Sequence, residues 1–583
     1  MQSSPRMKSH LGNDSAAGPW RRRSPGPRLM AGLAAGLLAG LASGASAQPF
    51  RDVARERGLD FVHSDFRTGE KYYVESAESG GGFVDFDGDG DADVLLLQGA
   101  AAPLVPGSKA TAASPPRSRK LFENRDGRFV DITERSGLAG SGFGMGVCIG
   151  DVDADGRVDI LVTEYGALLL FRNLGGGRFE EIAARAGLED RRWNSGCAFG
   201  DVDGDGDHDL FVARYVDFAF DKNPWCGDRA RGVRAYCRPD AFSGVDDSLY
   251  INDGKGRFVD EGRRRGIAAG PDEKGFGVLM QDLDGDFDLD IFVANDGTPS
   301  RHYVNRGGGF FTDEALLLGT AVSNMGAAQA GMGVAAGDID GDGTVELVKT
   351  NYSTEPNNVY RQVAPGLWED EGKRRGVAEA SWPHVGWGVE LFDADNDGDL
   401  DLAVANGHAV DNIEIFEAGL AYAQLNQLFA NDGSGRFADL GAAAGPGFAE
   451  RAVSRGLASA DVDGDGRVDL LITRTNGPAL LLRNETAQPG HWLGLRLVDR
   501  RGSPVVLGAR VEVRAGDRTF SRHTRSGGSF LSQSALDLHV GLGAWSGPVM
   551  VAIRWPDGAT QTQRLTTLDR LQVVIQPSAA KAR

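Results

Sequence analysis

Apart from one N-terminal stretch, the sequence holds no apolar run long enough to cross a bilayer, and that stretch, Leu29 to Leu41, is too short and too glycine-rich to be a good span. Histidine is scarce, with nine residues in 583, and cysteine scarcer, with four. The sequence has no His-Glu-x-x-His, no Cys-x-x-Cys, no Gly-x-Ser-x-Gly and no Gly-Lys-Ser phosphate loop, so the common metalloprotease, thiol-redox, serine-hydrolase and nucleotide-binding chemistries have no residues to carry them. No catalytic residue is nominated, and the chain is read as a non-enzyme. Basic residues are also the minority, 62 Lys and Arg against 82 Asp and Glu, a net charge of −20 that argues against nucleic acid or an anionic membrane surface as the main partner.

Residues 1–47 have the plan of an export signal: Arg21, Arg22, Arg23 and Arg28, then the apolar run, then Ala45-Ser46-Ala47 as a small-residue cleavage site. The consecutive arginines raise the twin-arginine route, but Ser24-Pro25 and the lack of apolar residues after them speak against it. Removing the leader takes away six basic residues and one acidic residue and moves the net charge to −25. The chain is therefore expected outside the cytoplasm, in the periplasm, at the cell surface or in the medium, with no integral membrane segment after cleavage. In such a compartment Cys226 and Cys237, within the polar insertion NPWCGDRARGVRAYCRP, are expected to form a disulfide. Cys148 and Cys197 sit in apolar strand-like runs and are expected to be small buried residues.

What the chain has in abundance is glycine, 83 residues, and aspartate in a fixed pattern. In GFVDFDGDGDADVLLLQG, residues 82–99, Asp85, Asp87 and Asp89 alternate, Gly90 follows, and Asp93 opens an apolar run. Carboxylates at every second residue of a curling loop can face one ion, while the glycine supplies a positive-φ turn toward a fourth ligand, which reads as a calcium loop. The pattern recurs at Asp151, Asp153, Asp155 and Asp159; at Asp201, Asp203, Asp205 and Asp209; and at Asp282, Asp284, Asp286 and Asp290. It recurs again at Asp338, Asp340, Asp342 and Glu346; at Asp393, Asp395, Asp397 and Asp401; and at Asp461, Asp463, Asp465 and Asp469. These loops are expected to hold up to seven calcium ions. An EF-hand is excluded, since the twelfth residue of the first loop is Leu96 rather than a bidentate Glu and β-rich runs flank every loop. Two loops depart from the pattern: Phe287 stands where the others have the turn glycine, and Glu346 where they have the ninth-position Asp.

A second element precedes each loop: Phe50-Arg-Asp, Phe129-Val-Asp, Phe179-Glu-Glu, Phe258-Val-Asp, Phe311-Thr-Asp, Trp368-Glu-Asp and Phe437-Ala-Asp, mostly led in by an Asn…Gly…Phe turn. The last loop is followed by Leu480 to Asn484 but by no such element, and the copy it lacks is the one at Phe50. A chain whose first segment supplies what its last repeat lacks is expected to close a ring, so residues 48–488 are read as an all-β, seven-bladed propeller. Glycines just ahead of the loops, as in Gly142-Phe-Gly144-Met-Gly146, Gly331-Met-Gly333 and Gly386-Trp-Gly388, are expected where blades crowd the axis. Three insertions, at about 218–245, 407–424 and Ala100 to Ser118, occupy the same point of their repeats and are expected on one face. From His491 the alternation of apolar and polar residues predicts a small antiparallel sandwich over residues 489–577, with 578–583 as a tail.

The Phe-Val-Asp-Phe-Asp-Gly-Asp-Gly-Asp repeat resembles the FG-GAP or VCBS repeat of integrin-α-like propellers. Tyr215-Val-Asp-Phe, Pro224-Trp-Cys226, Tyr236-Cys237, Ala405-Asn-Gly-His408 and the C-terminal His491-Trp-Leu, Leu507-Gly-Ala-Arg, Ser529-Phe-Leu-Ser-Gln533 and Trp555-Pro-Asp-Gly resemble the cartilage acidic protein family with its ASPIC/UnbV domain. That resemblance implies an exported calcium-binding propeller without established catalysis, with side-chain ligands at loop positions one, three, five and nine and a backbone carbonyl at seven. The function expected is binding or adhesion toward an unknown protein or glycan, through the insertions at 218–245 and 407–424. The alternatives are an enzyme or accessory factor of secondary-metabolite biosynthesis, from the UnbV association, and carbohydrate binding.

Overall fold

The computed structural model describes residues 50–99, 118–267, 273–487 and 489–578. The leader, the insertion from Ala100 up to its last residue and the tail beyond Ser578 lie outside the described residues. Among the described residues no helix is long and apolar enough to cross a membrane.

The fold is all-β and propeller-like. Seven sheets each contain four strands running antiparallel from an inner strand outward, one inner strand per aspartate loop. The inner strands are Gly81–Val84, Phe143–Gly150, Asn194–Gly200, Gly275–Gln281, Gly331–Gly337, Gly386–Phe392 and Ser454–Ala460. Each contacts the next, and the last contacts the first. The outermost strands are the Phe-x-Asp elements, and the sheet of Ser454–Ala460 takes its outer strand from the chain's beginning: Phe50 pairs with Asn484 and Asp52 with Leu482. The chain's first segment therefore supplies the strand that the last repeat lacks.

The axis explains the glycines. Gly80, Gly146, Gly196, Gly277, Gly333, Gly388 and Gly456 each lie five residues ahead of their loop's first carboxylate, and a Cβ on any of them would fall under 3.0 Å from a neighbouring strand or from the segment threading the ring. Six of the seven inner strands slip register across this glycine, as between Gly331 and Val334. The bulge twists the strand where seven of them converge. Side chains fill the space between sheets instead, in apolar clusters such as Ala335, Val348, Val389, Leu402 and Phe429.

Crowding at the axis also overturns one expectation. Cys148 and Cys197 are not separate buried thiols: they form a disulfide, Cα–Cα 6.0 Å, between the inner strands of adjacent sheets. Their local sequences look like any buried strand, and only the convergence of two blades brings them together. Cys226 and Cys237 pair as expected, Cα–Cα 5.1 Å.

The C-terminal region has two sheets, one of Arg510–Ala515, Arg518–His523, Val549–Arg554 and Thr560–Leu565, the other of His491–Val498, Leu538–Gly543 and Leu571–Ile575. Leu493, Leu495, Val511, Val513, Val540 and Val551 form their shared core. One pairing departs from the all-antiparallel expectation: Gly494 to Val498 run parallel to Leu571 to Ile575. This region is not merely appended. Its segment 527–535 enters the ring, where Ser532 and Gln533 extend the first sheet in parallel beside Gly81 and Gly82. Gly528 N–H donates to Val278 O (2.8 Å), Ser529 and Val334 exchange backbone bonds, and Ser529 Oγ accepts from Val389 N–H (3.1 Å) and donates to Leu457 O (2.7 Å). Ser529 and Leu531 hold positive φ to make these turns.

Candidate metal centres

Each aspartate loop joins an inner strand to the second strand, so all seven lie at one end of the sheets. Position nine opens the second strand, as Asp93, Asp159, Asp209, Asp290, Glu346, Asp401 and Asp469. In every loop this residue accepts the backbone N–H of position two, for example Val152 to Asp159 (3.0 Å) and Leu283 to Asp290 (2.9 Å). Position five accepts the N–H of position seven in all seven loops, at 2.8–3.1 Å, which curls the loop.

Within 4.8 Å of one another stand ligand atoms of Asp85, Asp87 and Asp93; Asp151, Asp153 and Asp159; Asp201, Asp203 and Asp209; Asp282, Asp284 and Asp290; and Asp338, Asp340 and Glu346. These are positions one, three and nine. Position five, Asp89, Asp155, Asp205, Asp286 and Asp342, is not in these groups, and so belongs to the loop's curl rather than to its tightest cluster. Asp393, Asp395, Asp397 and Asp401 and Asp461, Asp463, Asp465 and Asp469 repeat the same backbone bonds.

Such clusters are costly without a cation. Burial, reinforced by neighbouring carboxylates, pushes Asp93 up to about 9, Asp209 and Glu346 to about 8 and Asp159 to about 7, and Asp290, Asp401 and Asp469 well above the carboxylate range. At position one, burial raises Asp85, Asp201 and Asp282 to about 6 and Asp393 and Asp461 to about 7. Several carboxylate oxygens are buried with no hydrogen-bond partner: those of Asp153, Asp203, Asp340 and Asp463 at position three, and of Asp338 and Asp393 at position one. Orphaned hard oxygens, three carboxylates deep, fit a divalent cation of the calcium type.

The two departures are accommodated. Phe287 adopts φ 79°, the turn the glycine makes elsewhere; the residue is 46% exposed, and the Arg554 guanidinium of the C-terminal region lies 3.6 Å from its ring centroid. Asp282, Asp284 and Asp290 still converge. Glu346 keeps the bond to Ile339 N–H (2.9 Å) but not the second bond that its aspartate counterparts make.

That second bond leads to residues the carboxylate pattern does not name. The other oxygen of position nine accepts the backbone N–H of an asparagine at or near the end of the third strand: Asn124, Asn173, Asn252, Asn305, Asn431 and Asn484, at 2.7–2.9 Å. The asparagine Nδ2 then donates to the position-two carbonyl of the preceding loop: Asn124 to Val462, Asn173 to Phe86, Asn252 to Val152, Asn305 to Val202, Asn431 to Ile339 and Asn484 to Ala394, at 2.7–3.0 Å. Six of the seven junctions between neighbouring repeats are thus latched. The fifth repeat has Gln362 at this point, its Nε2 without a partner. The signal in the sequence is the asparagine of the Asn…Gly…Phe turn, which recurs as regularly as the aspartates.

The C-terminal region covers the loop face. The position-six carbonyls of five loops accept its side chains: Gly90 from Arg496 (3.0 Å), Gly206 from Arg501 (3.2 Å), Gly343 from Arg510 (3.2 Å), Gly398 from Arg522 (3.1 Å) and Gly466 from His539 (3.1 Å). The insertions at 218–245 and 407–424 begin where second strands end, on the opposite face. There Asn412 Nδ2 donates to Arg234 O (2.9 Å), and Arg67 and Lys71 pair with Asp411. His302 Nδ1 lies 3.3 Å from Thr320 Oγ1, and His63 Nδ1 accepts Asn476 N–H (3.2 Å).

A family profile described as FG-GAP-like repeat matches residues 85–162, 151–212 and 282–349, and one described as ASPIC and UnbV matches residues 500–581. The matched spans carry FG-GAP-like repeats and an ASPIC/UnbV domain, and the chain is similar to cartilage acidic protein 1. The human cartilage acidic protein 1 is 26% identical over 502 residues, covering 81% of this chain and 59% of the relative; the mouse protein is 26% identical over 365 residues, covering 59% and 47%. The chain thus spans less than two thirds of the length of these relatives. Among solved structures, the surface component PorZ of Porphyromonas gingivalis aligns over 86% of this chain and 59% of its own at 12% identity and a TM-score of 0.37. In the FG-GAP-like repeats the aspartate loops join inner to second strands, and the ASPIC/UnbV domain supplies the arginines above them.

Proposed function

We propose that this protein is an exported, calcium-stabilised seven-bladed propeller that works as a binding or adhesion module. The observation that carries the calcium reading is the set of buried position-three carboxylate oxygens with no partner, repeated around the ring. One ion per loop satisfies the oxygens at positions one, three and nine together, and calcium here ties a blade's turn rather than signalling. Two disulfides and the homology to cartilage acidic protein 1 support a place outside the cytoplasm. The ASPIC/UnbV domain occupies the loop face, which leaves the opposite face, with segments 218–245 and 407–424 tied to each other, as the surface for a protein or glycan partner.

Any ligand bound only by the folded chain raises its stability by mass action, about 2.7 kcal/mol for one site at a hundred times its Kd. Removing calcium with a chelator is therefore expected to lower the thermal midpoint of the mature protein by many degrees, with recovery on adding calcium back but not magnesium. An unchanged midpoint overturns the calcium reading. For the partner, immobilised mature protein in calcium is expected to retain a ligand that a variant with residues 411–422 replaced by a short Gly-Ser linker does not; equal retention moves the binding surface elsewhere.

A further inference from the structure

Between the loop face of the ring and the C-terminal sandwich lies a cavity of about 250 Å³. One ordered water needs far less, and ligand sites begin at roughly 300 Å³. Its floor comes from inner-strand residues such as Ala336, Leu391 and Ser459, and its roof from Ser521, His523 and His539 of the C-terminal region. Three roof atoms, Ser521 Oγ, His523 Nε2 and His539 Nδ1, are shut from bulk water and have no hydrogen-bond partner. Ser521 and His523 stand two apart on the strand Arg518–His523 and so share one face of it.

The chemistry of these atoms is partly fixed. His539 Nε2 is bonded to the carbonyl of Gly466 (3.1 Å), and a carbonyl only accepts, so the ring proton is on Nε2. Burial holds this imidazole neutral, at about 4, which leaves Nδ1 as a lone pair awaiting a donor. The arginines around the cavity are each ion-paired or hydrogen-bonded. Arg496 pairs with Asp537 (2.6 Å) and Asp85 (3.0 Å), Arg525 faces Glu390 (3.8 Å), and Arg522 gives its N–H groups to backbone carbonyls of Ser521, His539 and Gly398. The carboxylates on the ring side of the cavity, Asp85, Asp393 and Asp461, belong to the calcium loops, while the unpartnered groups on its C-terminal side are neutral, so a hydroxyl finds an acceptor at His539 and groups that exchange bonds at Ser521 and His523.

We infer that this cavity is a binding site for a neutral, hydroxyl-bearing small molecule of monosaccharide size, held by hydroxyl donation to His539 Nδ1 and by bonds to Ser521 and His523. Calorimetry and ligand-observed saturation-transfer NMR on the full mature chain, with D-glucose, D-galactose and D-mannose as probes, test it. Saturable binding of at least one sugar is expected, weakened at least tenfold in Ser521→Leu, whose larger side chain fills the cavity, and several-fold in His539→Phe. The thermal midpoint of each variant is recorded, and Ser521→Ala replaces Ser521→Leu if the latter does not fold. The assignment is overturned if none of the three sugars binds, or if binding persists undiminished in the folded variants. Because the readout is sugar binding rather than stability, its failure is separate from a failure of the calcium reading.

Discussion

Asn173 offers the sharpest test of how the ring is held. Its fully buried side chain donates to Phe86 O (2.7 Å) in the preceding loop and to Val158 O (3.0 Å) in its own, and its Oδ1 accepts Gly175 N–H (2.8 Å). Asn173→Ala deletes three buried bonds at about 1 kcal/mol each and strands two carbonyls and an N–H, so a loss of about 3–5 kcal/mol is expected. Against a typical total of about 5–15 kcal/mol, that is a large fraction. Asn173→Asp keeps the shape but removes both N–H donors and points a carboxylate at two carbonyls, so it is expected to cost at least as much. The protein carries its own control, because Gln362 fills the same place in the fifth repeat and its Nε2 makes no bond. Gln362→Ala is expected to cost less than about 1 kcal/mol. Urea unfolding of the mature chain in saturating calcium measures all three from midpoint and slope. If Asn173→Ala and Gln362→Ala shift the midpoint equally, the asparagine latches do not hold neighbouring loops together, and the reasoning fails.

Three further outcomes are expected. With calcium chelated, the native carboxyls at position nine take up protons near neutrality, whereas their unfolded counterparts, with pKa values near 4, do not; stability therefore rises as pH falls from about 9 toward 6, by about 1.4 kcal/mol per pH unit for each carboxyl that is protonated only when folded. Saturating calcium replaces those protons and is expected to remove the trend, so the same slope with and without calcium in thermal scans argues against ion binding at these carboxyls. Gly333→Ala places a Cβ against the backbone of Trp387 and is expected to cost about 3 kcal/mol by urea unfolding, while Gly341→Ala, at φ 71° with open space around it, is expected to cost about 1 kcal/mol. Cys148→Ser opens a link of sequence separation 49 and is expected to cost about 4 kcal/mol, against about 3 kcal/mol for Cys226→Ser at separation 11; equal midpoints for Cys148→Ser and the parent would show that the inner-strand disulfide contributes nothing.

What the sequence makes legible is whatever repeats. The aspartates, the Phe-x-Asp strands and the axial glycines recur at fixed spacing because every blade solves the same local problem, and the ring closure at Phe50 follows from counting one element against the other. What it hides depends on one blade meeting another, or on the C-terminal region meeting the ring. Cys148 and Cys197 lie in runs indistinguishable from other buried strands, and segment 527–535 reads as an ordinary turn-rich loop until it is seen crossing the axis. The asparagines fall between these cases, visible as turn residues but with their reach into the neighbouring loop concealed. The fifth repeat joins the two kinds of knowledge. Read alone, Glu346 is a longer ligand arm that keeps a metal site; beside Gln362, it marks the one junction where position nine and its third-strand partner both changed and the latch was not made. That junction adjoins the loop of Phe287, the other departure, so the ring's two irregular repeats are neighbours. If any pair of blades separates first on calcium removal, the structure points to these two, and hydrogen exchange at Leu283 and Tyr360, compared with Val152 and Tyr250, is expected to show it as faster exchange at the former.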